Sequence, residues 1–315
     1  MARSVAKSTD SAQVLGKPKR QPRMRIDLFP YLLVAPAILL VAMMTLYPAI
    51  FAIRLSLMDI NLLSFTRGAE FIGLQNYTAA FQDAIFLDGL WRTVRWVVFV
   101  AGSQMLVALP IALFLNTPFI GRAFVRAAVL IPYVVPAAVV AIIWRFMVDA
   151  NFGVINDILY RIGLIDSYQA WMGQPNASFL IIAFAMIWTG FPFYAISLLA
   201  ALQSITDDLY EAARIDGAGA WQQFRYITMP LILPTILLLL LLRTIWLSHN
   251  VDLIFLMSEG GPGYNNYTVA IYSFILTWSR LEIGYPAAMA IVLAIVLLLA
   301  SAVYVNFIER SREAM

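Results

Sequence analysis

The sequence predicts an all-α integral membrane protein with six transmembrane helices. Three observations carry that prediction. First, 62% of the 315 residues are hydrophobic and only 12% are charged, against about 45–50% and about 25% in a typical soluble domain. Second, six apolar segments meet or approach the length that crosses a bilayer, about 20 residues in a helix. They are 29–53, 96–115, 127–148, 177–202, 231–248 and 286–307. Third, the basic residues fall on alternate sides of these segments, as the topology rule for membrane proteins requires. Helices are the expected element, because an open-ended span must satisfy its backbone polar groups internally. The charge-free run from Leu28 to Ile53 argues against a soluble bundle with long core helices.

Taken in order, residues 1–25 carry seven basic groups against one acid, Asp10, with no apolar period. They read as a disordered polar tail, and 26–315 as the transmembrane domain. The first apolar run exceeds the roughly 7–15 residues of a cleavable signal core, so 29–53 is expected to remain as a span. Proline recurs within the spans at Pro36, Pro48, Pro110, Pro132, Pro136, Pro192 and Pro234. Each kinks a helix and frees a carbonyl that a neighbour must satisfy. Pro132 and Pro136 are four apart, so the third span, which has Arg145 near its far end, is expected to be bent. Bends suit helices around a cavity and also occur in static bundles. The stretch 270–283 is apolar but short, and reads as an interfacial helix. A seventh span would carry Arg310 and Arg312 to the opposite side.

Six spans put both termini on one side. With them go the seven basic residues of the tail, Arg122 and Arg126, Arg214 and Arg225, and Arg310 and Arg312, which are thirteen of the 21 Lys and Arg residues. The positive-inside rule makes that side cytoplasmic. The outer loops are then about 54–95, 149–176 and 249–285. Trp91, Trp96, Tyr160, Trp171, Tyr272 and Trp278 fall near the outer interface, where amphipathic aromatics anchor.

Several chemistries are excluded. No cysteine is present, so disulfides, thiolate metal sites and cysteine nucleophiles are absent. No lysine follows Lys19, so the phosphate-binding G-x-x-x-x-G-K-[ST] loop is missing. His249 is the only histidine and has no candidate co-ligand, so no metal site is expected and it reads as an interfacial polar residue. Asp252 and Glu259 read as loop residues, not an acid–base pair. A secondary transporter of small polar solutes is the alternative reading, but it needs intramembrane acids for ion coupling, and no span has one near its centre. An integral-membrane enzyme needs a clustered acid, base or metal set, and none stands out.

The most polar long stretch of the second half, 211–234, reads EAARIDGAGAWQQFRYITMPLILP. Ser204 or Thr206 can cap a helix whose first turn holds Asp207 and Asp208, favoured there by the helix dipole. The helix should end near Ile215, before Gly217 and Gly219. A second short helix, 220–228, should precede Pro230 and the fifth span. Trp221 and Phe224 offer the kind of aromatic anchor enriched at interfaces, and small Ala212 and Ala213 permit close approach. The residues alone leave open whether this hairpin meets a partner or packs on its own bundle.

The pattern Glu211-Ala212-Ala213, then Gly217, Ile227 and Met229-Pro230, resembles the signature loop of binding-protein-dependent ABC importer permeases. Asp216 and Pro234 also fit, and Met229 stands where the family usually has Leu. FIGLQNY (71–77), RTIW (243–246), the Asn250 and Asp252 pair, and GGPGYNNYT (260–268) are similar to the carbohydrate-uptake branch typified by maltose and glycerol-3-phosphate importers. They look more like the first of its two unlike permeases. The resemblance implies a type I importer permease fold, with a family core over about 90–307 and a coupling loop at 204–230. It also implies that Glu211, Ala212, Ala213, Asp216, Gly217, Trp221, Phe224 and Pro230 engage a separate ATPase subunit. This chain would bind no cofactor, and ATP and magnesium would be used by that partner. The expected assembly, in a bacterial inner membrane, adds a second homologous permease as a heterodimer, two ATP-binding subunits and an extracytoplasmic solute-binding protein. No nucleic-acid partner and no enzymatic activity of this chain are implied.

One further expectation concerns the fifth span. On a continuous helix Arg243, Trp246 and Asn250 share a face. Arg243 lies about 20 Å beyond Pro230 at about 1.5 Å per residue, well inside the membrane. An arginine at that depth faces a polar interior or a partner. The face with Arg243, Trp246, Asn250 and Asp252 is therefore a candidate lining of a translocation path, with Trp246 a stacking surface for a sugar ring. A structural pair for Arg243 within the bundle is the competing reading.

Overall fold

The computed structural model describes residues 29–63 and 68–313, so the basic tail over 1–25 lies outside the described residues. The first helix, α1, covers Phe29–Ser56 and contains Pro36 and Pro48. The chain divides into two compact units, one ending at Ala49 and the other beginning at Ile50. All that follows concerns the second. A two-residue antiparallel ladder pairs β1 (Met58–Asp59) with β2 (Glu70–Phe71) and leads into α2 (Gln75–Gln82).

Helix α3 runs over Ala84–Asn116, starting twelve residues before the expected 96. Asp83 starts it, its carboxylate accepting hydrogen bonds from the amides of Ile85 at 2.8 Å and Phe86 at 3.4 Å. An Asp88–Arg92 pair at 3.0 Å lies in the added turns. Hydropathy finds the membrane-embedded part of a helix, not a polar extension beyond it.

The third span is broken outright. Helix α4 (Arg122–Val134) and α5 (Ala137–Met147) meet at 91°. Pro136 stands at the N-cap of α5 and has no backbone N–H to continue α4. The two prolines predict a bend, and the geometry is a corner. Short α6 (Val154–Arg161) and a 3₁₀ turn at Trp171–Gly173 lead to α7 (Pro175–Gln203), the expected fourth span. Then come α8 (Asp207–Ile215), α9 (Ala220–Gln223), a π-helical turn (Phe224–Thr228) and α10 (Met229–Ser248). Helix α11 (Asp252–Ser258), α12 (Val269–Ser279) and α13 (Gly284–Glu313) complete the chain. Among the described residues, five helices are long and apolar enough to cross a membrane, and six segments are if the α4–α5 pair is one span. With 11 residues, α12 is about 17 Å long, too short to cross.

Two apolar layers build the core. In the first, Trp96, Val97, Val100 and Ala101 of α3 pack with Ile182, Met186 and Ile187 of α7, Leu247 of α10 and Leu253 and Ile254 of α11. In the second, Met105, Ala108, Ala112 and Leu115 pack with Tyr194, Leu198 and Leu202 of α7 and Ile232, Ile236 and Leu239 of α10. Residue numbers advance together along α3 and α7 and in reverse along α10. The first two helices are therefore parallel and the third antiparallel, as spans two, four and five must be. Small residues at these contacts let the backbones approach, which drives helix association in lipid.

A third cluster joins α2, α3, α12 and α13 through Ala80, Phe86, Tyr272, Leu276 and Met289. Asp83 fastens it, accepting hydrogen bonds from the hydroxyls of Tyr272 and Tyr285, each at 2.8 Å. Burial pushes this carboxyl up. The two hydroxyls and two amides more than offset that, and its pKa is held below the ordinary 3.8. A carboxylate so depressed stabilises the fold above its unfolded-state pKa, and the contribution disappears as pH falls through the lower folded value. Asp83→Asn is expected to lower stability at pH 7 by about 1–3 kcal/mol, with the difference from wild type narrowing below about pH 3.8. Thermal melting of the full-length protein across pH, followed by circular dichroism, measures both effects.

Candidate functional site

The end of the bundle reached by the C-termini of α3 and α7 holds the 116–122 turn and the 204–230 loop. The two meet there, with Phe119 and Val125 packed against the same apolar layer as Ile205 and Met229. The loop begins where α7 stops. Ser204 donates to the carbonyl of Ala201 at 2.7 Å, and Thr206 is the N-cap of α8 without a side-chain cap bond. Asp207 and Asp208 occupy the first turn of α8 and Arg214 the last, each at the end its charge favours.

Gly217 terminates α8. Its φ is +80°, the amide of Ala218 reaches the carbonyl of Ala213 at 2.8 Å, and its own amide reaches Arg214 at 3.1 Å. That pair of bonds is the Schellman arrangement, which calls for a left-handed residue at the position after the cap. Nothing lies within 4 Å of where a Cβ would stand, so conformation, not space, selects glycine. The next turn is held by Gln222, which accepts from the amide of Gly219 at 2.8 Å, and by Gln223, which donates to the carbonyl of Ala218 at 2.9 Å. The hydroxyls of Tyr210 and Thr228, 2.9 Å apart, tie α8 to the π turn.

The second helix does not stop at Pro230. Residues 220–248 form one apolar helix of 29 residues, continuous through the π turn and Pro234. Pro230 lies in the first turn of α10 and is half-buried. A separate short helix over 220–228, preceding Pro230 and the fifth span, was expected there. The wider π turn just before it re-spaces the backbone and lets the helix continue.

The loop presents an apolar surface. Ile215 is 87% exposed, Trp221 72% and Tyr226 75%, and Leu209 is also exposed. Trp221 and Phe224 pack ring to ring at 5.5 Å. Glu211, Ala212, Asp216 and Gly217 are exposed, and Ala213 is half-buried. Glu211 and Arg214 are 3.9 Å apart on the exposed face, a separation that contributes little. Sequence reasoning missed Ile215 and Tyr226. The signal for Ile215 was present, a large aliphatic residue in the last turn of a largely polar helix.

The candidate path residues separate into two groups. Arg243 is buried, and its Nε and Nη2 donate to Oε1 of Gln104 at 3.0 and 2.8 Å. The Gln104 amide donates in turn to the carbonyl of Met186 at 2.6 Å. This chain links α10, α3 and α7 at the seam between the two apolar layers. A Cβ on Gly190 would collide with the Gln104 amide and the Arg243 guanidinium, so glycine makes room for the pair. The guanidinium lies 5.9 Å from the Trp246 ring, and Trp246 in turn packs 5.3 Å from Phe193. Trp246 is partly exposed, whereas the Tyr194 hydroxyl is buried without a partner.

Asn250 and Asp252 do not extend this face. Helix α10 ends at Ser248 with His249 at its C-cap, and Asp252 is the first residue of α11, so the helical spacing from Trp246 to Asn250 does not apply. His249 and Asp252 are exposed. Among the described residues no group of three or more His, Asp or Glu is placed to hold a metal ion.

The sequence model of the family described as "Binding-protein-dependent transport system inner membrane component" matches residues 104–313. The sulfoquinovosyl glycerol transport system permease protein SmoG of Agrobacterium fabrum is 37% identical over 284 residues, 90% of this chain and 91% of that protein. The trehalose/maltose transport system permease protein MalF of Thermococcus litoralis is 33% identical over 277 residues, 88% of this chain and 92% of that protein. Among solved structures, the bacterial alginate ABC transporter in complex with an alginate pentasaccharide-bound periplasmic protein contains a chain that superposes with a TM-score of 0.72. It is 26% identical, covering 88% of this chain and 93% of that one. With its membrane-spanning helices in the type I importer arrangement, this chain belongs to the family of binding-protein-dependent transport system inner membrane components, as a multi-pass permease of an ABC importer.

Proposed function

We propose that this chain forms half of the pathway by which a carbohydrate crosses the inner membrane, and that its 204–230 loop is where ATP hydrolysis in a separate subunit drives the bundle. A second, related permease supplies the other half. Two ATP-binding subunits, which use ATP and magnesium, sit on the cytoplasmic side with both termini, and an extracytoplasmic binding protein delivers the substrate. The observation that carries the coupling role is the loop's geometry: a hydrogen-bonded turn presents exposed Ile215, Trp221 and Tyr226 at the root of a 29-residue helix. The substrate class is supported by the relatives, named for sulfoquinovosyl glycerol, trehalose/maltose and alginate. Within the bundle the Trp246–Phe193 pair beside Arg243 is the surface that meets the sugar, with Arg243 held by Gln104.

Deletion of 212–219, or Trp221→Ala combined with Ile215→Asp, is expected to cut copurification of the ATPase by about tenfold or more, with membrane insertion unchanged. An ATPase that remains bound to the inserted variants would show that the loop is not the coupling element. Trp246→Ala is expected to lower carbohydrate uptake at least about tenfold without loss of the ATPase. Uptake with an unchanged apparent affinity removes Trp246 from the path.

The support beneath that surface is tested separately. Gly190→Ala forces a methyl into the Gln104–Arg243 pair and is expected to cost about 1–3 kcal/mol. Gln104→Leu strands a buried guanidinium and is expected to cost about 3–5 kcal/mol. Thermal melting of the purified variants reads both losses.

A further inference from the structure

At the end of the bundle opposite the coupling loop, one turn of α3 leaves three buried hydrogen-bond donors without partners. They are Nη1 of Arg92, Nε of Arg95 and the indole Nε1 of Trp96. Spaced i, i+3 and i+4, the three residues share one helix face, and all line a small cavity of about 10 Å³. Trp96 is 3% exposed. The opposite wall includes Phe179, Asn265 and Asn266.

The surrounding hydrogen bonds show how this void is closed. The 260–268 segment is fastened over it: Thr93 accepts from the amide of Val269 at 3.1 Å, and Asn266 donates to Ser178 at 2.6 Å. Asn265 donates to the carbonyl of Pro175 at 2.6 Å. Arg95 gives its Nη2 to the carbonyl of Asn265 at 3.3 Å and lies 4.2 Å over the Phe179 ring. Arg92 has Asp88 as its acid, whereas Arg95 has no carboxylate partner among the described residues. The cavity is therefore lined by Arg92, Arg95 and Trp96, each with a buried donor left unpaired, and one of the two charges has no carboxylate beside it among the described residues.

Buried donors left unpaired are costly, so the cavity selects an occupant that accepts several hydrogen bonds. A water molecule accepts two and must also place its own two protons. A halide accepts from all three donors, places none, and neutralises Arg95. The space is about that of a single water molecule; a halide is somewhat larger and is seated by a small outward shift of the flexible guanidinium groups, whereas sulfate and phosphate are excluded. The geometry points to a monovalent halide site formed by Arg92, Arg95 and Trp96, chloride being its natural occupant, that locks the 260–268 segment to α3.

The test is thermal melting of the full-length protein, with the subunits that copurify with it, at constant ionic strength in chloride, bromide, gluconate or sulfate. Chloride and bromide are expected to raise the melting temperature saturably, and gluconate and sulfate are not. Arg95→Gln is expected to raise the half-saturating chloride concentration by about tenfold or more. Trp96→Phe keeps the ring and removes one donor, and serves if the arginine variant does not fold. It too should weaken the chloride response several-fold. Bromide-soaked crystals should show an anomalous peak within hydrogen-bond distance of Arg95 and Trp96. Equal melting temperatures in all four salts, a rise shared by sulfate, a chloride response unchanged in Trp96→Phe, or a water in place of the bromide peak would each overturn the assignment.

Discussion

The hydrogen bonds from Arg243 to Gln104 fix the arrangement of the three central helices. Arg243 is buried, and removing the partner of a buried guanidinium costs several kcal/mol. Gln104 meets it with one oxygen at 2.8 and 3.0 Å and passes its own amide to the carbonyl of Met186. Because α3, α7 and α10 each supply one member, a slip of any helix by one residue breaks the chain. Apolar packing in lipid has little preference for one register over another, since lipid tails are as apolar as leucine. The polar chain supplies that preference. Gly190 is the local condition for it, because any side chain there would occupy the volume of the pair.

This tie also explains why the core separates into two layers. Toward one end the layer of Trp96, Ile182 and Leu247 closes around α11. Toward the other the layer of Leu115, Leu198 and Ile232 closes against the loop. At the seam between them, Gln104 takes two of the guanidinium's donors and spends its own amide on α7. The one nearby group that does not join, the Tyr194 hydroxyl, is buried without a partner beside the aromatic pair of Trp246 and Phe193.

The spans were legible in the sequence because uncharged length is an unambiguous signal in this class of protein. The stop at Gly217 was legible because glycine after a polar helix has one common use. Three features were not. The extension of α3 back to Ala84 rests on an Asp83 cap whose partners Tyr272 and Tyr285 are about 190 and 200 residues away, and no local pattern reports that. The continuity of α9 and α10 through Pro230 depends on a π turn, which has no composition of its own. Gln104 was unremarkable in an apolar run, and only the position of α10 reveals that it faces Arg243. Asn250 was misplaced for the complementary reason: helical spacing was extended past a helix end that His249 marks in space but not in sequence.

The continuity through Pro230 changes how the loop can act. Two short helices hinged at a proline would absorb a push from outside as local bending. A single helix from Ala220 to Ser248, about 43 Å long at about 1.5 Å per residue, transmits more of it, bending only at the π turn and Pro234. Its loop end is held to α8 by the Tyr210–Thr228 contact, and Arg243 sits more than three-quarters of the way along it. In the proposed mechanism, a displacement of the loop becomes rotation or translation of this rod, and the first polar contact it must disturb is the one with Gln104. That contact has two arrangements available, made or broken, and no intermediate one. A buried charge-bearing hydrogen bond at the far end of a stiff lever makes the bundle resist small displacements and yield to large ones, the behaviour required of a gate moved by a separate motor.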